Sequence, residues 1–67
     1  MGKREQNKAM VQKRLLKEAT LLFSTQGLEQ TTVADIVQAS GIARGTFYNY
    51  FTDVKTIFTA VVEVMNT

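Results

Sequence analysis

Ser40-Gly41-Ile42-Ala43-Arg44-Gly45-Thr46-Phe47-Tyr48-Asn49-Tyr50-Phe51 holds four of the six aromatic residues of this 67-residue chain. They follow two glycines and a single arginine. A buried core has no need of arginine, threonine and asparagine interleaved with its aromatics. Phe47 and Phe51, four apart, share one helical face with Ala43. That face can pack against Ile36, Val37 and Phe23. Arg44, Thr46, Tyr48 and Asn49 then point largely elsewhere. Gly45 costs about 1 kcal/mol against alanine inside a helix, which implies a steric reason for it. Close approach of a ligand to the backbone is one such reason, and close helix packing is the plainer one.

The stretch acquires a partner upstream. Gln30-Thr31-Thr32-Val33-Ala34-Asp35-Ile36-Val37 places Thr32 three residues before Asp35, a capping arrangement with Asp in place of the usual Glu or Gln. Asp35 also lies in the first turn, where the helix dipole favours a negative charge. The short helix this predicts ends at Ser40-Gly41. The next is predicted to start near Ile42 or Ala43 and to run to about Asn49. Two short helices joined by a tight glycine turn make a helix-turn-helix. The second helix of such a pair enters the major groove of DNA. There arginine grips guanine, threonine meets a thymine methyl or a phosphate, and tyrosine bonds phosphate. Singly, each residue has a duller reading. Arg44 is a solvated charge, and Tyr48 or Tyr50 is a core aromatic with its hydroxyl at the edge.

Two longer helices flank the pair. Val11, Leu15, Ala19, Leu22 and Phe23 mark one apolar face, predicting a first helix from about Asn7 to Gln26 that ends at Gly27. Thr52 and Asp53 are both good N-caps for a fourth. Its stripe is Val54, Ile57, Phe58, Val61, Val62 and Met65. The predicted fold is all-α, a homeodomain-like three-helix core plus the start of a fourth helix. Phe23, Ile36, Phe47, Phe51 and Phe58 are expected in one core.

Composition narrows the function classes. The chain has no cysteine, histidine or proline. Disulfides, thiolate sites and the commonest general base are thereby absent. No close carboxylate pair suggests acid–base chemistry, so neither an enzyme nor a metal or other cofactor is expected. No apolar run approaches a membrane span. The start lacks a secretory core, and Gln6 breaks the myristoylation pattern. A cytoplasmic protein is expected. The net charge of +2 is unevenly spread. Residues 1–17 carry six cations against Glu5, a net of +5, whereas 18–67 carry a net of −3. A basic front suits nucleic acid or an anionic surface, and equally a solubilising tail. Residues 1–8 are expected to form a mobile basic arm, and 9–67 the helix-turn-helix domain. A protein–protein interaction module remains the alternative on these grounds. A membrane-surface segment fails to explain the capped helix pair.

The ordered set Leu22-Phe23, Gly27, Thr31-Thr32-Val33, Ile36, Ala39-Ser40-Gly41-Ile42, Arg44 to Phe51 and Ile57-Phe58 resembles the DNA-binding domain of the tetracycline-repressor (TetR) family of bacterial transcription regulators. The resemblance covers roughly residues 9–65, and Gly41 to Phe51 is its most specific part. It implies a third helix in the major groove and a fourth leading to a larger helical domain that is absent from this chain. That domain would bind a small-molecule effector and make a homodimer on a palindromic DNA operator. The usual activity is repression, relieved by the effector. By position, Thr32 resembles the family's phosphate contact, and Arg44 and Thr46 its base-reading positions. Gly45 matches the close-approach glycine. Tyr48 and Tyr50 match residues that face phosphate, and Asn49 lies among them. One position departs from the pattern. Many members carry a phosphate-binding lysine where this chain has Val54. Lys55 follows, turned by about 100° on the helix, and is carried as a weaker contact.

Overall fold

A computed structural model describes residues 2–66, with side chains over 8–66. It contains α1 (Gly2–Gln26), α2 (Val33–Ser40), α3 (Arg44–Phe47) and α4 (Val54–Met65). No strand occurs among the described residues. α1 packs against α2 and α4, and α3 packs against α2. No helix among the described residues is long and apolar enough to cross a membrane.

α1 begins five residues earlier than its apolar stripe requires. Its leading residues, KREQNKAM, are mostly strong helix formers without proline or a β-branched side chain, so the helix propagates through them. The backbone of 2–8, expected as an arm, thus continues α1. Met1 and the side chains of 2–7 lie outside the described residues. At the other end Gly27 takes a left-handed φ of 85° and donates its N–H to the Phe23 carbonyl at 3.1 Å.

The adjacent threonines divide two tasks. Thr31 is buried and its hydroxyl donates to the Gly27 carbonyl at 2.7 Å, closing the turn after α1. Thr32 is the N-cap of α2. Its Oγ1 accepts from the Asp35 N–H at 3.1 Å, and its own N–H donates to Asp35 Oδ2 at 3.1 Å. The Gln26 amide donates to the same Oδ2 at 3.1 Å, tying α1 to the start of α2. The Thr32 backbone N–H, then the Thr32 side chain and the Gln26 amide, hold the Asp35 carboxyl below its ordinary value. A carboxyl whose pKa is depressed by folding stabilises the fold above its unfolded value. That stabilisation is lost as pH falls through the folded value. Asp35→Asn should therefore lower the thermal midpoint at pH 7, and the gap from the parent should close below the ordinary carboxylate value of 3.8. A thermal melt series across that range checks it.

Gly41 ends α2 at φ 71°, ψ 31°. Its N–H donates to the carbonyls of Val37 and Gln38, and the Ile42 N–H reaches Val37 at 3.1 Å. This Schellman arrangement reverses the chain within three residues. α3 is shorter than its sequence suggests. Only Arg44–Phe47 are α-helical, and Ala43 offers no side-chain cap. Gly45 and Thr46 are weak helix formers. The chain beyond tightens into i→i+3 bonds, Asn49 N–H to Thr46 and Tyr50 N–H to Phe47. Of the two candidate caps for α4, Asp53 is the one used. Its Oδ1 accepts from both the N–H and the hydroxyl of Thr56 at 2.8 Å.

Leu15, Ala19, Ile36, Val37, Phe47, Phe51, Ile57 and Val61 form the buried core. Ile36, Phe47 and Phe51 are inside, as their stripes imply. Phe23 and Phe58 are not: both are half-buried. Their rings meet edge-to-face at 5.2 Å on the outer seam of α1 and α4, where Val62 and Met65 are exposed. Leu15, Ala19 and Ile57 take the central positions instead, fully buried in the same cluster as Ile36 and Phe47.

Candidate nucleic-acid interface

Phe47 sets the orientation of the whole segment. It is fully buried, rests 6.0 Å from Phe51 between ring centroids, and belongs to the cluster that includes Ile36 and Val37. With that side chain fixed inwards, the helical turn carries Arg44, Gly45, Tyr48 and Asn49 into solvent. Thr46 is half-buried. Tyr48 is 52% exposed and stands edge-on to Phe47 at 5.4 Å, so its ring is supported from below. Tyr50 differs from its neighbours. It is half-buried and packs against the core, which leaves it less surface to offer.

Gly45 has no role inside the domain. A Cβ built on it meets nothing within 4 Å, and its φ is not in the left-handed region. Close packing of two helices does not explain the glycine. The backbone there is bare and open to whatever lies outside.

Thr32 stands exposed at the start of α2. Its side chain is engaged with Asp35, whose N–H it caps and whose carboxyl it helps to stabilise, so an outside acceptor at this position would compete with the capping box. At the start of α4 two adjacent residues differ in exposure. Val54 is half-buried against the core, while Lys55 is exposed. Part of the Lys55 charge falls on Asp53. The Thr56 N–H and hydroxyl chiefly hold the Asp53 carboxyl below its ordinary value, and Lys55 adds to them.

One neighbour of this surface has little to mark it in sequence. Arg14, exposed on α1, lines a hollow of about 240 Å³ with Met10, Val11, Ser40, Gly41 and Ile42. It therefore lies against the turn that delivers α3. Its only local signal is its position between Val11 and Leu15, at the edge of the apolar stripe. Ser40, buried in the same place, has an Oγ without a hydrogen-bond partner among the described residues.

Known proteins give this geometry its context. The family model for bacterial regulatory proteins of the tetR family matches residues 15–61. The uncharacterized HTH-type transcriptional regulator YfiR of Bacillus subtilis (strain 168) is 34% identical over 59 residues, 88% of this chain and 29% of the relative. The uncharacterized regulator YvdT of the same organism is 36% identical over 50 residues, 75% of this chain and 26% of its own length. The HTH-type transcriptional regulator AcrR of Shigella flexneri is 32% identical over 62 residues, 92% of this chain and 29% of its own. The chain spans less than a third of each relative. With a capped α2, a glycine turn and an α3 anchored by Phe47 within the matched segment, the chain belongs to the tetR family of bacterial regulatory proteins, as its helix-turn-helix DNA-binding domain.

Proposed function

We propose that this domain reads a palindromic operator as one half of a homodimer, and that the protein containing it is a repressor released by a small-molecule effector. In this reading α3 lies in the major groove. Arg44 and Thr46 meet base edges, and Asn49 lies on the same surface. Tyr48, Thr32 and, more weakly, Tyr50 and Lys55 contact phosphates. Dimerisation and effector binding belong to a domain outside this chain. The length of the relatives supports that assignment, as do the exposed Val62, Val64 and Met65 late in α4. Two domains held in one dimer would gain on the order of 10²–10⁴ in avidity over one alone.

The observation that carries the reading is the bare backbone at Gly45 in the middle of an exposed polar surface. A glycine kept where a helix would prefer alanine, with nothing in the fold to require it, is what close approach to DNA demands. Gly45→Leu tests this. The variant should fold at least as well as the parent, since leucine improves helix propensity by up to about 1 kcal/mol and its Cβ would have open space around it. Its affinity for duplex DNA should fall by about tenfold or more, a loss of at least roughly 1.4 kcal/mol. Anisotropy titrations and thermal melts of both proteins supply the comparison. A stable Gly45→Leu that binds duplexes as tightly as the parent would exclude α3 from the groove.

A further inference from the structure

The later cations of the basic front have a place in the fold that α3 does not account for. Lys13, Arg14 and Lys17 are exposed, although α1 carries much of the core on its other side through Leu15 and Ala19. Lys13 and Lys17 are one turn apart, and Arg14 is three residues from Lys17, so the three are surface neighbours. With Met10 and the half-buried Glu18 they border one open hollow of about 490 Å³. The same stretch of α1 is also the part that touches the α2–α3 turn. Met10 and Arg14 share their second hollow with Gly41 and Ile42, two residues ahead of Ala43, the N-cap of α3. A cationic ridge thus begins beside the mouth of the reading helix and runs away from it along α1.

We propose that Lys13, Arg14 and Lys17 form a second DNA contact, which binds backbone phosphates flanking the groove occupied by α3. This rests on the reading of α3 as the groove-entering element. Such contacts carry no sequence information; they add affinity, register and salt dependence. An anionic lipid surface is the competing partner for a basic helix. An interfacial helix needs a free apolar face, however, and that face of α1 is spent on the core.

The test uses the whole chain and its Lys13→Gln/Arg14→Gln/Lys17→Gln variant. Glutamine is as good a helix former as lysine, and all three side chains are exposed, so circular dichroism should be unchanged. Affinity for a duplex carrying the preferred site is measured across salt concentrations. The slope of log K against log salt should become shallower by about 0.9 for each phosphate no longer neutralised, hence by roughly 2 to 3. Phosphate-ethylation interference should show a patch of flanking phosphates that matter to the parent and not to the variant. A general loss of positive field would lower affinity without erasing that patch. Arg14→Lys, which keeps the charge, should keep the slope. Arg14→Gln gives a single-phosphate version of the measurement should the triple variant misfold. An unchanged slope and interference pattern overturns the ridge. So does variant-sensitive binding to phosphatidylserine vesicles with unchanged DNA behaviour, which would assign it to lipid. Loss of sequence preference in the parent itself, with the flanking patch intact, would instead sink the reading of α3.

Discussion

Phe47→Ala should unfold the domain, or nearly so. The side chain is fully buried and forms the joint between α3 and the rest of the core. Phenylalanine-to-alanine changes at such sites cost about 3–5 kcal/mol, from reduced burial and the cavity left behind. A single core in a chain this short supplies about as much stability in total, roughly 3–5 kcal/mol. The local loss is as serious as the global one. Tyr48 and Phe51 both rest against the Phe47 ring, so even a residual fold would present α3 loosely. Urea or thermal denaturation followed by circular dichroism gives the answer directly. A Phe47→Ala variant as stable as the parent would mean that α3 is not anchored by this ring and that its outward face is different.

Arg44→Ala should leave the fold intact and strike recognition. Arg44 is exposed at the first position of α3, the end of a recognition helix that meets base edges. Its planar fork can hold a guanine by two hydrogen bonds, worth about 1–3 kcal/mol of discrimination. The loss should appear on the preferred duplex and be much smaller on unrelated sequences. Tyr48 is one helical turn further along, exposed over half its surface with its ring braced by Phe47. In the proposed arrangement its hydroxyl bonds a phosphate, which looks alike in every sequence. Tyr48→Phe should weaken all duplexes about equally. Titrations of both variants on preferred and scrambled duplexes separate the two roles.

The parts legible in sequence are those governed by local rules. The Thr32–Asp35 capping box and the Gly27 and Gly41 terminators each follow from a few adjacent residues, and each is present. The apolar stripes correctly orient Ile36, Phe47 and Phe51 inwards. Rules of this kind do not say where one helix crosses another. Phe23 and Phe58 lie on genuine stripes, yet the crossing of α1 and α4 leaves them on the outer seam. Tyr50 follows exposed residues in the chain, and the turn after α3 rotates it against the core. α3 is shorter than its pattern implies, because periodicity cannot distinguish an α-helical turn from the i→i+3 turn that follows it here. In sequence Arg14 is only one charge of a basic front. Its place beside the Gly41–Ile42 turn is a tertiary relation between residues almost thirty positions apart, and nothing local announces it.

The central claim is that the outward face of α3 reads bases near Arg44 and grips phosphate near Tyr48. It is tested most directly by selecting preferred duplexes from a random pool with the parent, Arg44→Ala and Tyr48→Phe, each first shown to be folded. The parent should yield a defined motif. Arg44→Ala should yield the same motif with preference relaxed at one position per half-site, whereas Tyr48→Phe should keep the whole motif and bind every duplex less tightly. An unchanged motif for Arg44→Ala, together with an altered one for Tyr48→Phe, would contradict the account by showing that the reading end of the helix has been assigned the wrong way round.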